Sequence, residues 1–221
     1  MSNVLKLLIE GSIDTLLMVI ISLVLAYIFG LLIGIVLILT KSGGLMQAPR
    51  LHQILSSIIN IMRSIPFIIL MVLLIPFTRF VVGTSIGVSG TIVPLFISAT
   101  PFVARMIEAS LEEIDQLTID TVRVFGASKF EIIWNVYLKE SIPSLVRQVP
   151  IVAIALIGYS AMAGATGGGG LGDIAIRYGY YNYDTSMMLY TILIIIVIVE
   201  MFQIIFTTLA KKIDKKQRRK T

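Results

Sequence analysis

Long uncharged stretches alternate along this chain with short polar ones. Thr15 to Thr40 carries no charge over about 26 residues, more than the roughly 20 that a helix needs to cross a bilayer. Four further apolar stretches follow, at about 55–78, 81–104, 148–166 and 186–210. The pattern predicts an all-α integral membrane protein, a single transmembrane domain over 1–221 with about five transmembrane helices. Met1 to Asp14 reads as a short amphipathic lead-in at the membrane surface, and Lys41 to His52 as a polar loop. Arg63 is expected near one end of the second span, reaching the headgroups. The third span is expected to continue as a helix through Arg105, Glu108 and Glu112, out of the membrane.

One long charged segment, 115–146, interrupts this series. It predicts two short helices broken at Gly126-Ala127. The first has Ile119, Val122 and Phe125 at helical spacing, with Asp120 and Arg123 turned the other way. Gly126 suits the left-handed position that ends a helix. Ser128 and Glu131 have the spacing of a capping box, and Ile132, Ile133, Val136 and Tyr137 make the apolar side of the second helix. Pro143 is the expected break before the fourth span. The whole is a helix–Gly–helix elbow that another protein could grip.

Composition agrees with a membrane protein: 57% of residues are hydrophobic and 14% charged, against about 25% charged in soluble domains. The mean hydropathy is +0.94. With no cysteine, disulfides and thiolate metal sites are excluded. The one histidine, His52, reads as a solvated loop residue, with a ligand or proton switch as the other reading. The net charge of +5 does not point to nucleic acid, because of where it sits. Of the 18 lysines and arginines, only Lys6, Arg79 and Arg177 fall on one side of the predicted topology. The other side has Lys41, Arg50, Arg63, Arg105, Arg123, Lys129, Lys139, Arg147 and the cluster from Lys211 to Lys220, facing anionic lipid. The positive-inside rule then puts the C-terminus and the elbow in the cytoplasm and the N-terminus outside. No cleavable signal peptide is expected, since the apolar run after Asp14 is too long for one.

No catalytic constellation stands out. Gly167 to Gly172 lacks the Gly-Lys-Ser/Thr of a phosphate loop, and reads as a mobile turn or as ordinary turn chemistry. Gly158 to Gly164 is the best candidate for a gate, with small residues around a flexible Met162; helix packing by small residues is the competing reading. Gly30 and Gly34 form a Gly-x-x-x-Gly, which suits packing within one subunit or a dimer contact. Glu200 lies roughly 16 Å up the last span from Lys211. A proton relay is one reading of so deep a carboxylate; a paired glutamate in a helix interface, with a hydroxyl or Arg63 as partner, is the favoured one.

The elbow resembles the coupling segment of bacterial ABC importer permeases, whose pattern is Glu-Ala-Ala, three residues, Gly, nine residues, Ile, one residue, Leu-Pro. Gly126, Val136 and Leu138 stand at the Gly, Ile and Leu positions. Asp120-Thr121-Val122 stands where Glu-Ala-Ala is usual, and Lys139 replaces the proline. The stretches Asn60–Gly87, Pro101–Ile114 and Gly158–Tyr183 look like the methionine-importer permeases of this type-1 family. The resemblance implies a homodimeric permease in a bacterial cell membrane that moves methionine inward and is not itself an enzyme. ATPase subunits carrying ATP and Mg would bind on the cytoplasmic side, and a substrate-binding protein on the outside. Asp120, Arg123, Gly126, Ala127 and Ser128 would couple to the ATPase, and Tyr159, Ser160 and Met162 would line the path. The alternatives are the same machine for another small amino acid or nutrient, or an ATPase-independent channel or secondary transporter.

Overall fold

The computed structural model describes residues 2–218; Arg219 and Lys220 of the basic cluster lie outside the described residues. Among the described residues the chain is helical, with no strand. Helix α1 is Ser2–Thr40, α2 Pro49–Ser64, α3 Phe67–Leu73, α4 Ile75–Val82 and α5 Gly87–Glu112. Helices α6, Gln116–Val124, and α7, Lys129–Ile132, lead through a π-helical turn, Ile133–Leu138, into α8, Lys139–Gly164. Helix α9, Gly170–Ile174, runs into a second π turn, Ala175–Tyr181, and α10 is Thr185–Arg218.

Helix α5 is the centre, packed between α1 and α8. Its Leu95, Val103, Ala104, Ile107 and Leu111 are buried completely. Gly30 and Gly34 let α1 lie directly on it. A Cβ on Gly30 would stand 2.6 Å from Cγ1 of Val103, and one on Gly34 2.7 Å from Cγ2 of Ile107. The Gly-x-x-x-Gly is therefore a contact inside one protomer. Nor is there a separate lead-in, because α1 runs unbroken from Ser2, its first turns held by Gly11 against Ile174 and Gly170.

The second predicted span is broken. Helices α2 and α3 meet at 103°, because Ile65 is extended (φ −79°, ψ 122°), as the residue before a proline must be, and Pro66 follows in the same region. Helix α4 then ends at left-handed Gly83 (φ +79°), so α5 begins at Gly87 and not near 81. Arg63 is exposed in the last turn of α2, its guanidinium 5.8 Å from the centre of the Phe102 ring on α5. The break expected at Pro143 is absent. The chain widens into π geometry over Ile133–Leu138, just before Lys139, whose carbonyl Pro143 cannot use, and Lys129–Gly164 is one rod.

Two sets of contacts define the ends of the bundle. At one end Thr15 Oγ1 accepts from Leu171 N (2.8 Å), and Gly87 N donates to Gly167 O (2.9 Å). The Gly-rich turn is thus bolted to α1 and α5. A Cβ on Gly170 would meet Thr15 Oγ1 at 2.6 Å. At the opposite end Lys41 Nζ pairs with Glu112 at 2.9 Å. Helices Asn3–Thr40, Gly87–Glu112, Lys129–Gly164 and Thr185–Ile213 are long and apolar enough to cross a membrane, and α2–α4 carries the chain between the same two ends. Lys6, Arg79 and Arg177 belong to the first end, while Lys41, Arg50, Arg123 and Lys129 belong to the second. Replacing Gly34 by leucine should overpack the α1–α5 contact and cost about 1–3 kcal/mol, read as a lower Tm of the detergent-purified protein. Gly158→Ala, inside α8 at a position with nothing within 4 Å of a new Cβ, is the control and should not lower Tm.

Candidate functional site

The rod Lys129–Gly164 has 36 residues and is about 54 Å long, against a hydrocarbon thickness near 30 Å. Its far end is tied to the Gly-rich turn, so its first turns, and the elbow before them, project beyond the membrane at the basic end.

The elbow is fixed by backbone chemistry at each of its corners. Asp115 caps α6 by accepting from Leu117 N at 3.0 Å. The helix ends in a Schellman motif: Gly126 N donates to Arg123 O (3.0 Å) and Ala127 N to Val122 O (3.1 Å), with Gly126 left-handed at φ +87°. Helix α7 opens with the capping box. Ser128 N donates to Glu131 Oε2 at 2.8 Å, and Glu131 N donates to Ser128 Oγ at 3.3 Å. Ser128 N and the Ser128 hydroxyl, which donates to the same Oε2 at 2.7 Å, hold the Glu131 carboxyl below its ordinary pKa. Ala127, Ile119, Ile132, Val136 and Tyr137 face the core.

The outer face of the elbow is apolar. Val124 is 87% exposed and Phe125 86%, with Leu117, Phe130 and Trp134 also open and the last two rings stacked at 6.4 Å. Phe125 is thus not on the buried face, because it is the C-cap residue and the chain has already left helical geometry there. A groove of about 400 Å³ runs between the two short helices, lined by Val122, Phe125, Gly126, Glu131 and Asn135 among others. Asp120 and Arg123 stand exposed beside it, Asp120 accepting from Gln116 at 3.2 Å. Sequence reading missed Val124, Phe125, Phe130 and Trp134 as surface residues, since an apolar side chain beside a helix reads as core.

Behind the elbow, α5 and α8 are joined by polar contacts. Gln148 Nε2 donates to Met106 O (3.1 Å) and Ser110 Oγ (2.6 Å), and Ser110 donates to Ser144 (3.0 Å). Arg105 pairs with Glu108 at 2.7 Å and also donates to Ser56 O and Asn60 Oδ1 of α2. No such tie could be read from the sequence, as it depends on the register of two helices.

The three gate candidates point in different directions. The Tyr159 ring stacks on Phe67 of α3, 4.8 Å between centres. Ser160 is buried and donates to Ile157 O. Met162 is exposed and shares an open stripe of α8 with Ile151, Ile154 and Gly158. A face of helix left open by its own protomer, opposite the packed core, is where a passage or a second copy can lie.

A family profile described as "Binding-protein-dependent transport system inner membrane component" matches residues 30–219. The chain is 42% identical over 208 residues to the probable D-methionine transport system permease protein MetI of Vibrio cholerae, covering 94% of this chain and 92% of that one. It is 39% identical over 180 residues to the methionine import system permease protein MetP of Bacillus subtilis, covering 81% of each. Among solved structures, a chain of the MetNI methionine ABC transporter in an inward-facing conformation superposes with a TM-score of 0.94 at 40% identity, over 96% of this chain and 99% of that one. A chain of an amino acid ABC transporter shares the fold, with a TM-score of 0.72 at 20% identity. The profile match over residues 30–219 and the 42% identity over 94% of the chain, on a fold with four or five candidate crossings, place this chain in the family of inner membrane components of binding-protein-dependent transport systems.

Proposed function

We propose that this chain is the membrane permease of an ATP-driven importer that carries methionine inward, working as a homodimer. The observation that carries the reading is the elbow: rigid at both corners, apolar outside, and projecting from the membrane at the basic end. A surface of this kind would be covered in the working complex. An ABC ATPase is the partner that fits, with ATP and Mg bound on that subunit; the relatives named for methionine transport and the MetNI chain support both partner and cargo. The positive-inside rule supports a cytoplasmic elbow and C-terminus and an external N-terminus. A substrate-binding protein would then deliver cargo to the opposite end, where Lys6, Arg79 and Arg177 lie.

In this reading Gly126, Ala127 and Ser128 hold the shape of the elbow, while Asp120 and Arg123 meet the ATPase with Phe125 and Val124. Movement of the ATPase pair would pass along the rod Lys129–Gly164 and through the Gln148–Ser110 tie into α5. Tyr159, Ser160 and Met162 belong to the stretch of α8 that borders the path, Met162 on its open side.

Phe125→Asp should weaken the permease–ATPase complex, with less ATPase retained on size-exclusion chromatography, while the permease itself stays in the membrane. Gly126→Val forces a β-branched residue to φ +87°, a strain of about 1–3 kcal/mol. It should raise the ATP hydrolysed per methionine imported into proteoliposomes several-fold; an unchanged ratio would refute a coupling role. Met162→Ala should leave the complex assembled and raise basal ATPase or leak. Unchanged uptake together with unchanged basal hydrolysis would remove Met162 from the path.

A further inference from the structure

Helix α2 buries only one of its 16 residues, Ile59, which packs with Leu37 of α1 and Ala104 of α5. Apolar packing therefore fixes little of its position, and polar contacts do the rest. His52, Ser56 and Asn60 recur every four residues and share one face of the helix. His52 Nδ1 lies 3.1 Å from Leu37 O. Arg105 of α5 donates through Nη2 to Ser56 O (3.2 Å) and to Asn60 Oδ1 (3.3 Å). Its Nη1 donates to Glu108 Oε2 at 2.7 Å, and Glu108 is buried. One planar guanidinium thus has an arm fixed by its own helix and an arm laid across α2.

The piece of chain that Arg105 holds reaches the stretch of α8 assigned to the path. Ile65 and Pro66 turn the chain by 103° directly after α2, so the placing of α2 sets that of α3. Phe67, the first residue of α3, stacks on Tyr159 with ring centres 4.8 Å apart and planes 8° apart. One turn on, the Met71 sulfur accepts from Thr166 Oγ1 at 3.7 Å. On α5 itself, Met106 O and Ser110 Oγ accept from Gln148 of α8. Arg105, Met106, Glu108 and Ser110 lie within about two turns, so one stretch of α5 carries both the tie to α8 and the hold on α2.

We propose that Arg105 is a positioning residue for the gate: it keeps α2 in register with α5, and so holds Phe67 of α3 against Tyr159 of α8. The inference rests on the importer reading above, with Tyr159 bordering the path. Lysine at this position keeps a positive charge beside Glu108 but lacks the planar fork that meets Glu108 and α2 together.

The test uses full-length permease with its ATPase in proteoliposomes and reads the ATP hydrolysed per methionine imported. Arg105→Lys should raise that ratio several-fold. Phe67→Leu, which removes the stacked ring and keeps an apolar side chain, should raise it as well. Both act through the same bent piece, so the double variant should be no worse than the more severe single. Effects of the two singles that multiply in the double variant would overturn the proposal. So would an unchanged ratio in Arg105→Lys, since a purely structural role would lower the yield or Tm of the complex and leave the ratio of the assembled fraction alone. If Arg105→Lys does not assemble, Asn60→Ala takes its place. It removes one acceptor at an exposed position, spares the Arg105–Glu108 pair and should move the ratio the same way; an unchanged ratio there would overturn the proposal. Methionine uptake by the unmodified permease without any ATPase would overturn the importer reading, and this proposal with it.

Discussion

The fold rests on how closely α1 approaches α5. In a bilayer, lipid tails are as apolar as leucine, so helices gain little from burying greasy side chains and must win by close packing. Gly30 and Gly34 remove the two side chains that would hold α1 away, and Val103 and Ile107 fill the space. With α1 fixed on one flank, α5 presents its other flank to α8, where small residues and Gln148 complete the contact. The Gly-rich turn closes the same three helices at one end through Thr15, Leu171, Gly87 and Gly167. What remains open is one stripe of α8, much of α2, α3 and α4, and the outer faces of α1 and α10.

A stiff core makes the elbow useful. An element that passes on a push must deform less than what it pushes. The Schellman motif and the capping box satisfy the backbone at the end of α6 and the start of α7, the places where a helix is otherwise weakest. Helix α7, the π turn at Ile133–Leu138 and α8 follow one another without a gap past Pro143, so in the proposed coupling a displacement at Ser128 would be carried along a single helical run. Had the rod been broken there, a push on the elbow would have been lost in the joint.

The sequence made the backbone devices legible, because they depend on neighbours a few residues apart. Gly126, Ser128 and Glu131 could be assigned their roles from spacing alone. Long-range outcomes could not. Gly30 and Gly34 allowed two readings until Val103 and Ile107 were seen against them, and Pro143 suggested a break although the helix continues past it. Phe125 fitted a 3.6-residue apolar stripe but fell one residue past the helix, where the stripe no longer holds. The open stripe Ile151, Ile154, Gly158 and Met162 was hidden for a related reason. In a membrane protein core, lipid face and passage are all apolar, so hydropathy cannot separate them.

Polarity does separate them once depth is known. The exposed side of α3 is apolar at Ile68, Ile69 and Val72, whereas α2 adds a polar stripe of Gln53, Ser57, Asn60 and Ser64 to its open Leu51, Ile54, Ile58 and Ile61. Helix α10 shows a weaker contrast: Leu193 and Ile196 are open above Glu200, while below it Gln203 and Thr207 share the open surface with Met201, Ile204, Ile205 and Leu209. Both changes occur towards the basic end. A protomer surrounded by lipid on every side would not carry polar side chains on two helices over the same half of the bilayer. The polar stripes on those halves suit protein or water, and the apolar surfaces beside them suit lipid. The asymmetry between the two ends is thus built into the chain, independently of the charges in its loops.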